Sequence, residues 1–345
     1  MLDVEDHSSL NTYLHASGKL PHGQTLKHQV LAGGVSNKTV LVTFEDGRVW
    51  VIKQALAKLR VKVDWMSDPA RIHREAAGMR ALLTLAPLGA ITGFVFEDFE
   101  NHVMAMEAVP QPHENLKTLL MAGTIHADWI RQLAALLASI HRKSTARRDE
   151  LMPAFVDRTY FESLRLEPYY TYSATVDPGM MPFLHKLTDD TRRQQLSLVH
   201  GDFSPKNVLV FRGQLILLDH EVIHWGDPAF DIGFCMAHFL SKANHLRASR
   251  AQFLSTARSF WDQYLQNLGS IEWKAELGER AGRHTLACLL ARVVGRSPLE
   301  YLTERERETQ KQAVHKLSAS GGDDVALVIQ RFGEFLEESE QSCRE

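Results

Sequence analysis

The sequence predicts an α+β fold of two lobes, a small β-sheet lobe followed by a mainly helical one. Three observations predict it. β-Branched and aromatic runs of strand length, separated by turn residues, cluster in the first 109 residues. Beyond residue 110 the dominant pattern is apolar residues at helical spacing. Finally, 345 residues with 44% hydrophobic content can bury a large core but make a long chain for one compact unit, so lobes of 1–109 and 110–345 are expected.

The first thirty residues read as a short amphipathic helix leading into the first strand. Segments 39–44 and 48–53 form a hairpin around Glu45-Asp46-Gly47, because Asp-Gly is a strong turn signal. Pairing outward from that turn sets Phe44 against Val49, Val42 against Val51 and Val40 against Lys53. Lys53 thus returns beside the loop 32–37, which holds Gly33, Gly34 and Ser36. Such a loop can bring backbone N–H groups close to an anion, although Gly-Gly marks plain hairpin turns just as often.

Asp68-Pro69 is a helix start, with Asp as the cap and Pro at the first helical position. The helix that follows carries Ile72, Met79 and Leu82 on one stripe, and Glu75 lies on the same stripe. A carboxylate facing a core is costly without a cation, and Lys53 is the expected partner. The alternative is a weak surface pair with Arg71, one turn earlier. Segments 94–97 and 102–106 complete a lobe of five strands and one internal helix, and 106–110 is the connection out of it.

In the second lobe, 127–142 is a core helix with Ile130, Leu133, Leu136, Leu137 and Ile140 at helical spacing. Segment 166–182 contains Glu167, Tyr169, Tyr170 and Tyr172 but is interrupted by Pro168 and Pro178, so it reads either as part of a pocket or as a packed connector. Segments 261–268 and 281–294 are helical and 334–345 reads as a fraying helix. Near 295–298, Arg292 and Arg296 either reach an anionic or hydroxyl-rich ligand or are solvated at a helix end.

Composition excludes more than it selects. A formal net charge of −3 offers no broad attraction to nucleic acid, no apolar run is long enough to span a bilayer, and residues 1–18 lack the basic and apolar regions of a signal peptide. Partners in nucleic acid or membrane are not expected, and the expected location is the cytoplasm. Cys235, Cys288 and Cys343 show no C-x-x-C spacing and read as reduced structural thiols.

The chemistry is concentrated in 196–233, LSLVHGDFSPKNVLVFRGQLILLDHEVIHWGDPAFDIG. If 208–211 and 214–217 pair across Arg212-Gly213, then Phe211 faces Gln214, Val208 faces Leu217 and Asn207 faces Leu218. Asp202, Asn207 and Asp219 then gather at the open end of one hairpin. That grouping suits phosphoryl transfer, in which one carboxylate faces an attacking hydroxyl while amide and carboxylate oxygens hold a divalent metal against phosphate. His200 braces the loop through its ring, and Lys53 is placed to hold phosphates.

HGDFSPKNVLV followed by LLDHEVIHWGDPAFDIG resembles the catalytic and metal-binding core of the aminoglycoside phosphotransferase and choline kinase superfamily, small-molecule kinases of protein-kinase-like fold. The resemblance implies ATP and Mg²⁺ as cofactors, Asp202 as catalytic base, and Asn207 and Asp219 as metal ligands. It also implies that the adenine ring bonds the Glu107 carbonyl and the Val109 N–H, and that Asp231 caps the following helix and ties the catalytic loop. Asp219-x-Glu221 and VIKQALAKLR resemble the methylthioribose kinase branch more narrowly. If the chain stays extended past Asp219, Glu221 joins it at the metal; otherwise Glu221 pairs with a loop cation such as Lys206. The expected substrate is a small-molecule alcohol, a sugar or sugar-like metabolite, with an aminoglycoside or choline-type amino alcohol as the alternative. A silent nucleotide-binding regulatory module is the reading from another class.

Overall fold

The computed structural model describes residues 2–31, 35–60, 65–319 and 324–341; Gly33, Gly34 and Cys343 lie outside them. After one helix the chain builds an antiparallel sheet. Its strands are β1 (Leu26–Val30), β2 (Asn37–Phe44), β3 (Val49–Ala55), β4 (Phe94–Asp98) and β5 (Val103–Glu107), in the order β1-β2-β3-β5-β4. The sheet is covered on both faces. Helix α1 (His7–Ala16) lays Leu10 and Leu14 against Val40, Val42, Ile52 and Val103, and α2 (Arg71–Leu85) lays Ile72, Ala76 and Met79 beside Met104 and Met106. Successive side chains of β5 point to opposite faces, which is why Val103 and Met104 belong to different clusters and both are buried.

The β2–β3 register differs by one residue from that expected. Val42 pairs with Trp50 and Thr39 with Lys53, and Phe44 N–H bonds the Arg48 carbonyl at 2.9 Å. Gly47, at φ 86°, supplies the left-handed residue of a three-residue turn, so Arg48 is already paired. Lys53 keeps its place beside Ser36, for Leu56 N–H bonds the Ser36 carbonyl at 3.0 Å. The α2 start also shifts slightly: the Asp68 carboxylate accepts the Ala70 N–H at 2.9 Å in a turn, and the helix proper begins at Arg71.

The remainder is mostly helical. The helix Ala229–His245 is buried nearly all round, packed against Arg250–Leu268 and Leu277–Val294 and touched by Glu304–Ser318 and Val325–Gln341, while Ala127–Ala146 packs on Arg250–Leu268. Pro168 does not interrupt its segment. Residues 159–176 form one helical run whose middle, Glu162–Thr171, is π-helical, a wider winding that tolerates the missing N–H of Pro168. Pro178 instead starts a short 3-10 turn, Pro178–Met180. Cys235 and Cys288 are free and buried, and burial pushes both thiols above the usual range. Among the described residues no helix is long and apolar enough to cross a membrane.

Two small β elements carry the chemistry-bearing residues. Val208–Phe211 and Gln214–Leu217 pair in the expected register across Arg212 (φ 50°) and Gly213 (φ 80°), a turn with both central residues left-handed. Ser197–Val199 pairs with His224–Gly226.

Candidate active site

The strand Ser197–Val199 delivers His200, and the chain then turns at Gly201 with φ 77°. A Cβ there would lie 2.9 Å from the Val222 side chain and 3.0 Å from its carbonyl, so only glycine fits. Asp231 fastens this loop from beneath. Its carboxylate accepts the His200 N–H at 2.7 Å and the Gly201 N–H at 2.8 Å, and meets His141 Nε2 at 3.2 Å. Asp231 is thus the expected tie but not the cap, since Asp227 accepts the Ala229 N–H at 3.0 Å. Asp231→Ala leaves two buried N–H groups without acceptors, and a loss of about 3 kcal/mol or more is expected in chemical denaturation. Wild-type stability in that variant would refute the assigned role.

Asp202 is buried at the centre of the site. Its Oδ2 accepts from Asn207 Nδ2 at 2.7 Å, Arg165 Nη2 at 2.9 Å and Lys206 Nζ at 3.0 Å, while its Oδ1 has no hydrogen-bond partner. Burial alone would raise this carboxyl, but Arg165 and Lys206 outweigh it and hold Asp202 below its ordinary range. It is therefore an ionised carboxylate with one oxygen positioned and one unengaged.

The Asp202 backbone N–H donates to His200 Nδ1 at 3.2 Å, so His200 carries its proton on Nε2 and donates it to His220 Nδ1 at 3.1 Å. Burial pulls both rings below the usual histidine range, and the pair is neutral. His200 braces the backbone of Asp202 and does not bond its carboxylate.

From β3, Lys53 Nζ lies 2.6 Å from Glu75 and 3.1 Å from Asp219, so the pairing with Glu75 is as expected and Asp219 is a second partner. Burial works against the Lys53 ammonium, but Glu75 and Asp219 prevail and push its pKa up. Burial dominates at Glu75, pushed up to about 7, whereas Lys53 and Lys206 overcome burial at Asp219 and hold it well down. Of the two carboxylates sharing Lys53, burial weighs more heavily on Glu75 than on Asp219.

Asn207 sits opposite, its carbonyl accepting the Leu218 N–H at 2.8 Å. Its side-chain nitrogen is engaged by the Asp202 carboxylate and carbonyl, which leaves Oδ1 as its group for a cation. Among the described residues no three His, Cys, Asp or Glu side chains converge as a metal cage. Asn207 and Asp219 fit instead a Mg²⁺ that takes one or two protein oxygens and completes its shell with phosphate and water.

Glu221 has a direct partner other than those expected. The strand ends at Leu217, Asp219 turns the chain at φ 69°, and Glu221 instead meets Arg71 Nε at 3.2 Å. Neither the extended course nor the Lys206 pair is formed. Arg71 is fully buried, bonds the Ser36, Ser67 and Asp68 carbonyls as well, and so joins the loop before β2 to the loop after Asp219. The two loops lie close to α2, where a Cβ on Gly78 would meet Ile223 at 2.6 Å. Glu221→Gln should lower stability by about 1–3 kcal/mol and leave the Mg²⁺ concentration for half-maximal rate unchanged. A raised Mg²⁺ requirement would return Glu221 to the metal.

Of the other candidates, Ser36 is buried with its carbonyl on Arg71, Glu107 ends β5 with its N–H on the Gly93 carbonyl at 2.8 Å, and Val109 is buried just beyond. Gly33 and Gly34 lie outside the described residues. Arg165 was not singled out by sequence. Nothing local marks it, because it belongs to the π-helical run and meets Asp202 only through the fold.

A family model described as "Phosphotransferase enzyme family" matches residues 27–264. A methylthioribose kinase of Pectobacterium atrosepticum is 24% identical over 284 residues, covering 67% of this chain and 70% of that protein. Among solved structures, a macrolide 2′-phosphotransferase from Brachybacterium faecium superposes with TM-score 0.51 at 18% identity, covering 88% of this chain and 98% of that one. An amicoumacin kinase solved with AMP-PNP and Ca²⁺ superposes with TM-score 0.56 at 15% identity, covering 92% and 96%.

Proposed function

Since the chain belongs to the phosphotransferase enzyme family, we propose that it transfers the γ-phosphoryl group of ATP, with Mg²⁺, to a hydroxyl of a small sugar or sugar-like metabolite. The observation that carries this reading is Asp202, an ionised buried carboxylate with Oδ2 held by three donors and Oδ1 left for an incoming hydroxyl. The alcohol oxygen attacks γ-phosphorus, its proton passes to Asp202 Oδ1, and the bond to the ADP oxygen breaks. Lys53, steadied by Glu75, binds the α- and β-phosphates. Asn207 Oδ1 and Asp219 would hold Mg²⁺, which when bound would neutralise charge on the phosphate oxygens.

The adenine is read by the Glu107 carbonyl and the Val109 N–H at a hinge between the sheet and the helical region, and the backbone N–H of Ser36 approaches the phosphates. Binding of AMP-PNP by the amicoumacin kinase supports ATP as donor, and the methylthioribose kinase relative supports a sugar-like acceptor. The test is Mg²⁺-dependent ADP release measured over pentoses, sugar acids, sugar phosphates, amino alcohols and aminoglycosides. Release with one acceptor class well above the rate with water supports the reading. Absence of nucleotide binding, or equal slow release with every compound, overturns it.

A further inference from the structure

The helical region holds two buried basic side chains, Arg292 and Lys242, that take no carboxylate as a direct partner. Arg292 is 4% exposed, and its guanidinium meets only the Ser297 carbonyl at 2.9 Å, the Ser297 hydroxyl at 3.4 Å and His238 Nε2 at 3.2 Å. Lys242 is fully buried and donates only to the His238 carbonyl at 3.2 Å, with Nζ 5.6 Å from the centre of the Tyr301 ring. Among the described residues neither forms an ion pair. The Tyr301 hydroxyl beside them is buried and has no hydrogen-bond partner. A buried guanidinium without an ion-pair partner is costly, and Arg292 stands with a buried lysine around one histidine, beside an orphaned hydroxyl, which together describe the lining of a site for an anion.

This cluster is contiguous with the base. Arg292 lies 4.9 Å from the Tyr169 ring centre and 5.0 Å from that of Phe234, and Arg165, which bonds Asp202, stands 5.9 and 6.0 Å from the same two rings. Lys117 Nζ, 5.9 Å from the Tyr301 ring centre and paired with Glu300, and Lys206, paired with Asp202, are both partly exposed and lie toward the surface. Burial, then Arg292, Lys242, Lys206 and Lys117, all pull His238 below its ordinary range, so the field at this histidine is one of positive charge. Burial, with Lys117 and Arg292, brings the Lys242 pKa down to about 7 against the opposing pull of Glu300, so an arriving oxyanion would favour its charged form.

We infer that the acceptor carries an oxyanion, a carboxylate or a phosphomonoester, besides its reacting hydroxyl, and that Arg292 and Lys242, with His238 and Tyr301, bind it. This rests on the reading of Asp202 as the base, and it narrows the acceptor to a sugar acid, a sugar phosphate or a compound of like charge. Guanidinium and ammonium donors suit both oxyanions, whereas an ammonium-bearing acceptor would meet like charge in a desolvated place.

The test uses the full chain with AMP-PNP and Mg²⁺ saturating the nucleotide side. Inorganic phosphate, D-glycerate, glycerol 3-phosphate, glycerol and ethanolamine are titrated by calorimetry and thermal shift. The oxyanions should bind and raise the melting midpoint, glycerol and ethanolamine should not, and comparison of D-glycerate with glycerol 3-phosphate separates carboxylate from phosphomonoester. Arg292→Gln and Lys242→Met should each weaken oxyanion binding about tenfold or more. Lys242→Met also separates binding from support: removing a buried lysine that no carboxylate pairs raises the midpoint of the ligand-free protein, whereas loss of a structural lysine lowers it. No oxyanion binding, or binding equal in wild type and both variants, overturns the inference. ADP release from glycerol or ethanolamine as fast as from the oxyanions does so too, while leaving the phosphotransfer reading intact. Binding that depends on Arg292 and Lys242 without ADP release from any acceptor upholds the oxyanion site and counts against phosphotransfer.

Discussion

Asp202→Asn should lower turnover by about a hundredfold or more while nucleotide affinity changes little. The substitution keeps the size of the side chain and removes the carboxylate whose Oδ1 is unengaged in the structure. It also leaves Arg165 and Lys206 facing an amide, so some stability is lost, and thermal melting must show a folded variant before its kinetics are interpreted. Steady-state rates together with nucleotide titration decide the matter. Near-normal turnover in a folded Asp202→Asn protein would remove Asp202 as the base.

The second large effect is expected at the metal. Asp219→Ala should abolish the tightening of nucleotide binding by Mg²⁺, and Asn207→Ala should weaken it. Losing the Asp219 carboxylate also frees Lys53 from one of its two partners, so nucleotide binding without Mg²⁺ should hold or improve as the metal-dependent part disappears. This opposite movement distinguishes loss of a ligand from general damage to the site. Titrations with and without Mg²⁺ measure both, and an unchanged metal response in both variants would show that the two oxygens do not share an ion.

Some of this arrangement can be read from the chain because its causes are local. The hairpin register that brings Asn207 beside Leu218 follows from a two-residue Arg-Gly turn, and a two-residue turn leaves one pairing. Glu75 demanded a cation because it stood on an apolar stripe, and Lys53 was near enough in the sheet to supply it. The β2–β3 slip came from the choice between turns of different length, decided by Gly47. What could not be read depends on chain segments that meet only in the fold. Arg165 reaches Asp202 from a helix whose π-winding no periodicity announced, and Arg71 finds Glu221 at a separation of 150 residues. The extended course drawn from Asp219 to Glu221 failed for a backbone reason, since alternation of side chains holds only while φ stays negative.

That backbone reason also governs which sequences can occupy the position. At φ 69°, residue 219 lies where most side chains cost about 1–2 kcal/mol and where Asp, Asn and Gly are the common occupants. Substitutions there pass through two separate filters, one conformational and one chemical. In a saturation library selected first for folding and then for activity, Gly and Asn should survive the first round beside Asp, with the β-branched residues depleted most. Only Asp should then survive the second. Asp219→Gly is for the same reason the companion to Asp219→Ala, since it deletes the carboxylate without adding backbone strain. The mutational tolerance of this position is narrow even before its charge is considered.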